Sequence, residues 1–391
     1  MTQPIWYDSS EAGAPTLNNV AGSLLTVLRA CLISGFNSKS VTSITVASGV
    51  ATVTCAAHGF SGTYGKLVQI SGATEPLLNG NKQPGNVLTN SFTFPAPGVA
   101  DGTYTGTLSA KRAPLGWTEP HTGTNVAMFA RSVPEATAML LRVDDSHSAP
   151  STVTDARMSM VESATSVNNF TDETPTSAQV SGGFHVSKGP NSVTAKRWVI
   201  FGTGREIWLG SQASPGVTDP LQMYFFGDCI SYSSPDPYAC IIAGALAAYS
   251  GTANNSLLGS WASVNSANLM GGNRIAVARD AKGTDKSIIC NPVGLFSGVA
   301  NGNAIGGSGL AQSEAVGVNV LIHQYVWIQQ PTRPIRGHFP GIKAPLGYAL
   351  PFSDMQILGD VGGSGRSFIS VRVGTAFGAA NVLFDLTGPW G

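Results

Sequence analysis

Between residues 17 and 34, in the stretch LNNVAGSLLTVLRACLIS, the apolar side chains of Val20, Leu24, Leu25, Val27, Leu28, Cys31 and Leu32 recur at the spacing of a 3.6-residue turn. The spacing predicts one amphipathic helix, capped at its start by Asn18 or Asn19 and ended by Gly35 in a left-handed conformation. Its apolar face serves core packing or, alternatively, docking to a neighbouring subunit. From residue 41 the period changes to two. Residues 41–46 and 49–54 alternate β-branched and small polar side chains around Ala47-Ser48-Gly49, the pattern of a β-hairpin. Further strands are expected at 66–71, 91–94 and 104–111, separated by turn-rich 75–85 and 98–102.

Beyond Trp117 the pattern weakens. Strand-like patches occur at 126–130 and 139–143, whereas residues 146–190 are rich in Ser, Thr, Asn and Gly and are expected to cover a core but not to build one alone. A second core is expected from RWVIFGTGREIWL (197–209), two strands joined at Gly202-Thr203-Gly204, continued by LQMYFFGDCISY (221–232). Residues 235–248 read equally as a short helix or a buried strand. Residues 301–309 are of low complexity, and strands resume at 319–329, 368–373 and 381–385. The expected fold class is mainly β, with antiparallel sandwich-like or barrel-like modules and one N-terminal amphipathic helix. The expected division is an arm and helix at 1–37, a small all-β module at 38–117 and a larger β-rich domain at 118–391, with a further break near 250 left open.

Composition sharpens this. Only 11% of the 391 residues are charged, Lys+Arg and Asp+Glu are both 22, and Gly 47 and Pro 23 exceed ordinary usage. Copies of such a chain repel each other weakly, so a surface buried against identical or neighbouring subunits is expected, and a homo-oligomer with it. Without a basic run, nucleic acid is not an expected partner. The most apolar stretch, 240–249, is far shorter than the roughly 20 residues of a spanning helix, so membrane insertion is not expected either. Residues 1–11 lack the pattern of a signal peptide, which leads to the expectation of a protein made and kept in the cytosol. Cys31, Cys55, Cys229, Cys240 and Cys290 are odd in number and widely spaced, as free buried thiols would be, and no CxxC pair suggests zinc.

No stretch carries a strong catalytic signature. Gly202-Thr203-Gly204-Arg205 and the glycine-rich segment 359–365 do not match a phosphate loop and read as turns. Asp144 and Asp145 near His147 raise a metal or general-base site, but adjacent residues of an extended chain face opposite ways, and a solvated turn is the expectation. Six histidines (His58, His121, His147, His185, His323, His338) accompany many serines without a GxSxG elbow, so no triad is selected. Trp117, Trp208, Trp261, Trp327 and Trp390 are candidates for stacking on a glycan, or else core residues. The expectation is a protein that is not an enzyme, with no catalytic, cofactor or metal residues and no cofactor.

Several phrases carry a resemblance. The opening Trp6-Tyr-Asp-Ser-Ser-Glu-Ala-Gly-Ala-Pro-Thr-Leu17 before a single helix, then Ala57-His-Gly-Phe60, Ile70-Ser-Gly-Ala-Thr74, Leu78-Asn-Gly80 and Ser91-Phe-Thr-Phe94, resemble uncharacterised structural proteins of tailed bacteriophages and prophages encoded among tail and baseplate genes. Gly116-Trp117, Leu141-Arg-Val-Asp-Asp145, Phe226-Gly-Asp228, Arg336-Gly-His-Phe-Pro-Gly341 and Asp385-Leu-Thr-Gly-Pro-Trp390 continue it. The resemblance implies a virion location and a structural subunit of the tail tip or baseplate, assembled as a symmetric oligomer with other tail proteins. It leaves open a host-surface glycan adhesin and a head-decoration or neck protein, and it supplies no catalytic residues.

Overall fold

The computed structural model describes residues 3–147, 155–188, 193–212, 220–246, 275–293, 323–324, 327–330, 335–345, 352–360, 365–375 and 378–390. The fold is mainly β, in several antiparallel sheets, with one short helix near the N-terminus.

The helix is shorter than the apolar period predicts. It runs over Ser23–Arg29 and passes into a π-helical turn at Ala30–Ser34. Leu17 is held instead as an antiparallel bridge to Lys196, and Asn18 turns its side-chain oxygen to the Val20 N–H. Gly22 at φ +82° is the N-cap and no side chain of the helix's own approach caps it, so neither Asn18 nor Asn19 does so. Val20, counted in the apolar stripe, is exposed, while Leu24, Leu25, Val27, Leu28, Cys31 and Leu32 are buried. Gly35 ends the segment at φ +71° but with an extended ψ of 177°, not in a left-handed turn. A Cβ there would stand 2.2 Å from the Arg112 carbonyl oxygen, so close backbone approach requires the glycine.

Residues 36–112 form two facing sheets. In one, Gly85–Leu88, Ser91–Pro95, Val50–Thr54, Ser43–Ala47 and Gly102–Tyr104 pair in that order; in the other, Phe36–Ser40, Ser109–Arg112, Val68–Ser71 and Gly80–Lys82. Ile44, Val46, Val53, Val68, Ile70, Phe92 and Phe94 fill the space between them. The expected hairpin joins Ser43–Ala47 to Val50–Thr54, with Ser48 and Gly49 both at positive φ, as a tight I′-type connection demands. The single strand expected over 104–111 is two, because the chain leaves one sheet after Tyr104 and enters the other at Ser109, burying Leu108 on the way.

The polar segment contributes strands to a core that it shares with the helix and with other strands. Ala156–Val161 is a central strand of the sheet Thr118–Gly123, Val126–Ala130, Leu140–Asp144, Ala156–Val161, Phe184–Val186, and Met158, Met160, Phe184 and Val186 are buried. Its average polarity comes from the flanking turns, which dilute two short apolar strands.

The largest sheet is buried on both faces. Along Trp198–Gly202, Trp198 and Ile200 join the core under the helix, while Val199 and Phe201 join an opposite core with Trp208, Phe384 and Trp390. This two-sided burial explains why RWVIFGTGREIWL reads as a nearly continuous apolar run. The two segments are strands Trp198–Gly202 and Glu206–Gln212, paired antiparallel, and Leu221–Asp228 follows alongside. The ambiguous 235–248 stretch contains a strand, Cys240–Ala243, fully buried beside Leu221–Asp228. Phe368–Thr375 and Gly378–Asp385 form the C-terminal hairpin. The strand expected at 319–329 is described as His323–Gln324 and Trp327–Gln329 only, and the 301–309 segment lies outside the described residues. No described helix is long and apolar enough to cross a membrane.

Candidate functional site

The arm strand Ile5–Asp8 pairs antiparallel with Trp198–Gly202, bringing Asp8 opposite Val199. The chain then turns away through Ser9 and Ser10, and an open cleft of ≈ 560 Å³ lies under it. Four segments distant in sequence supply its walls: Trp6 and Asp8 from the arm, Lys196 and Arg197 from the approach to Trp198–Gly202, Gln212 from the end of Glu206–Gln212, and Asp354. Sequence reasoning did not single out these positions as a site, because no local spacing joins residues 6–16, 195–198, 212 and 354–355.

The cleft is stiffly held. Asp354 accepts the Arg372 backbone N–H at 2.9 Å with one oxygen and the Arg197 guanidinium with the other. Gln212, only 3% exposed, accepts the Arg197 backbone N–H at 3.1 Å with its side-chain oxygen, and its amide nitrogen has no hydrogen-bond partner. The Trp6 and Trp198 indole N–H groups donate to the carbonyls of Tyr64 and Pro15, and both rings are buried in the cores on either side of the sheet. Behind the arm, Lys66 sits 2.5 Å from Asp8 and 3.2 Å from Glu11, and 4.0 Å above the Trp6 ring. Burial would raise the Asp8 carboxyl, but the Lys66 ammonium and the Ser10 donors outweigh it and hold the group below the usual carboxylate range. Arg112 completes this cluster. Its guanidinium bonds Glu11 and the carbonyls of Leu67 and Trp6, tying the small module to the arm.

The residues singled out by sequence fall elsewhere. Asp145 is not in a solvated turn: it is fully buried, pairs with Lys188 and receives the Leu24 and Leu25 N–H groups of the helix. Asp144 points the other way and bonds Ser146, and His147 contributes its backbone carbonyl to Lys188. No group of three or more His, Cys, Asp or Glu suited to a metal ion occurs among the described residues. Gly202 to Arg205 is a turn closed by the Thr203 N–H on the Glu206 carbonyl. Residues 361–364 of the second glycine-rich segment lie outside the described residues.

Trp117, Trp208 and Trp390 are buried, each donating its indole N–H to a backbone carbonyl, and so form no stacking platform. Trp261 and the side chains of Trp327 and His323 lie outside the described residues. His58 accepts the Phe60 N–H, His121 bonds the Ala164 carbonyl, and His185 Nδ1 lies 3.4 Å from Asp155. His338, beside Tyr232, is pushed down to about 4 by burial and by Lys343. The five cysteines are free and buried. Burial pushes the Cys240 and Cys290 thiols up to about 12, leaving almost no thiolate for chemistry at neutral pH.

A second concentration of charge sits in the sheet interior. Arg131 and Asp228, each 1% exposed, pair at 2.6 Å, and Asp228 also accepts from the Thr137 hydroxyl and backbone N–H. Nearby Glu206 is raised to about 7, mainly by burial, with a contribution from Asp228 that the Thr203 hydroxyl, Arg205 and Arg131 only partly offset. These groups are committed to one another and to backbone, in the manner of a structural network.

Compared with known protein families the sequence matches none, and it matches no curated protein.

Proposed function

We propose that this chain is a non-catalytic structural subunit of a tailed-phage virion, a tail-tip or baseplate component that assembles with copies of itself and with other tail proteins. One observation carries the reading: the outer rim of the small module offers sheet edges together with exposed leucines. Gly80–Lys82 and Gly85–Leu88 are edge strands of the two facing sheets, and Leu77 and Leu88 beside them are 55% and 65% exposed. An edge with unpaired backbone groups and apolar side chains is a template for subunit contact.

The distribution of charge supports it. The pairs Lys188–Asp145, Arg131–Asp228 and Arg336–Asp236 are almost completely buried, and Arg112–Glu11 nearly so. They withdraw eight charges from a sequence that has only 22 cations and 22 anions. Each joins segments far apart in the chain, so these groups hold the architecture together and leave a weakly charged exterior for neighbours to cover. The resemblance of several phrases to phage tail and baseplate proteins agrees with this reading.

Mass spectrometry of separated heads and tails from purified particles tests it. The expected result is the chain in the tail fraction at several copies per particle. Its recovery with heads would assign it to decoration or the neck, and its absence from particles as a free monomer would overturn the structural reading.

A further inference from the structure

We propose that Lys66 and Asp8 condense within the folded chain into an isopeptide bond, a covalent clasp between the small module and the N-terminal arm, with Glu11 carrying the protons. The inference stands on this cluster and is independent of where the chain sits in a particle.

Three observations single out the pair. Lys66 Nζ lies 2.5 Å from Asp8 Oδ2 and 3.2 Å from Glu11 Oε1, so an amine, a carboxyl carbon within reach and a second carboxylate meet in one place. All three side chains are at most 13% exposed, and the amine stands 4.0 Å from the centre of the Trp6 ring, which keeps water off it. The other Asp8 oxygen, Oδ1, accepts the Ser10 N–H at 2.8 Å and the Ser10 hydroxyl as well. Two donors on that oxygen stabilise the negative charge that develops there when the carbon is attacked. Arg112 bonds Glu11 Oε2 and fixes the carboxylate beside the amine. The buried Lys188–Asp145 pair is equally short but has no such third group: the Lys188 ammonium is otherwise held by the carbonyls of Val20 and His147, and among the described residues no second carboxylate lies within ion-pair distance of it.

The atoms balance without any co-reactant. The Lys66 ammonium passes one proton to Asp8 Oδ2, leaving an amine beside a carboxylic acid. The Nζ lone pair attacks Cγ, forming the N–C bond and placing charge on Oδ1 under the Ser10 donors. Glu11 takes a proton from the attacking nitrogen and delivers it to Oδ2, the C–Oδ2 bond breaks, one water leaves and the carbonyl at Oδ1 re-forms. Glu11 ends as it began. The ion pair is the resting state and its neutral tautomer a minor one, so the step is slow, but it is needed only once per chain. Held reactants reach effective concentrations on the order of 10⁵–10⁸ M, which favours the amide over its hydrolysis. The product ties the strand Ile5–Asp8, already paired with Trp198–Gly202, to the small module across 58 residues.

The test is the intact mass of the purified full chain, followed by tryptic mapping. The expected mass is one water below that of the sequence. Residues 1–29 should appear joined to 40–82, uncleaved after Lys66, because an acylated lysine is no longer a trypsin site. Lys66→Arg, which keeps the ion pair but resists acylation, should run at full sequence mass, and Glu11→Gln should leave most chains uncondensed while circular dichroism shows them folded. A parent chain at full sequence mass after prolonged incubation at neutral pH would overturn the assignment. So would a water loss that survives Lys66→Arg, as a succinimide at Asp101-Gly102 would give, or a branch mapped to any other lysine.

Discussion

Asp145 and Lys188, both fully removed from solvent, meet at 2.5 Å across 43 residues of chain, and the second Asp145 oxygen receives the Leu24 N–H at 2.7 Å. The helix thus starts on a carboxylate from a distant strand end in place of a cap of its own. The Lys188 ammonium is closed off by the carbonyls of Val20 and His147.

Removing one partner of this pair strands a buried charge. Asp145→Ala is expected to cost about 3–5 kcal/mol, and the double replacement Asp145→Leu with Lys188→Met distinctly less than the sum of the two single changes. Urea denaturation of the three variants checks this, and additive losses would refute the coupling.

Glu206 sets a pH dependence. Its carboxyl is raised to about 7 in the folded chain, against about 4.3 unfolded, so the native state holds the extra proton between those values. Its contribution is therefore fully present below the unfolded value and is lost as pH rises through about 7. Glu206→Gln should remove that loss, stabilising the chain at pH 8.5 by on the order of 2–3 kcal/mol and changing it little at pH 4. Denaturation midpoints at the two pH values decide.

His338 acts in the opposite sense. Held neutral down to about 4, it destabilises the fold as pH falls below its ordinary range, because the unfolded chain then takes up the proton first. His338→Gln should flatten the acid limb of the stability profile between pH 6.5 and 4, measured against the parent chain in the same titration.

Two glycines at positive φ should respond differently to alanine. At Gly49 a Cβ meets nothing within 4 Å, and the change should cost only about 1–2 kcal/mol of left-handed strain. At Gly35 the Cβ would collide with the Arg112 carbonyl, and a loss of about 3 kcal/mol or more is expected in thermal melts.

The thiols should be silent. Native protein is expected to react with a thiol reagent over hours at pH 8, and all five cysteines within minutes in denaturant. Rapid labelling of any one in the native state would contradict its burial.

The alternation in 41–54 and the double-sided apolar run of 197–209 were legible because each is a local signal: hairpin and two-faced strand write their burial into consecutive residues. The helix was legible in kind but not in extent, since the Leu17–Lys196 bridge that delays its start is a contact across the chain. The strand at 156–161 was not legible because composition averaged over 146–190 hides six residues of strand.

What the sequence by itself determined is the β class, the positions of most core strands and the poverty of charge, all of which depend on residue type and near neighbours. Only the tertiary structure decided that Asp145 is buried against Lys188, that Trp117, Trp208 and Trp390 face inward, and that Gln212, Arg197 and Asp354 share a cleft with the arm. Those outcomes rest on pairings between segments tens to hundreds of residues apart. The free energy of burying or pairing a polar group is set by its neighbours in space, which no spacing along the chain records.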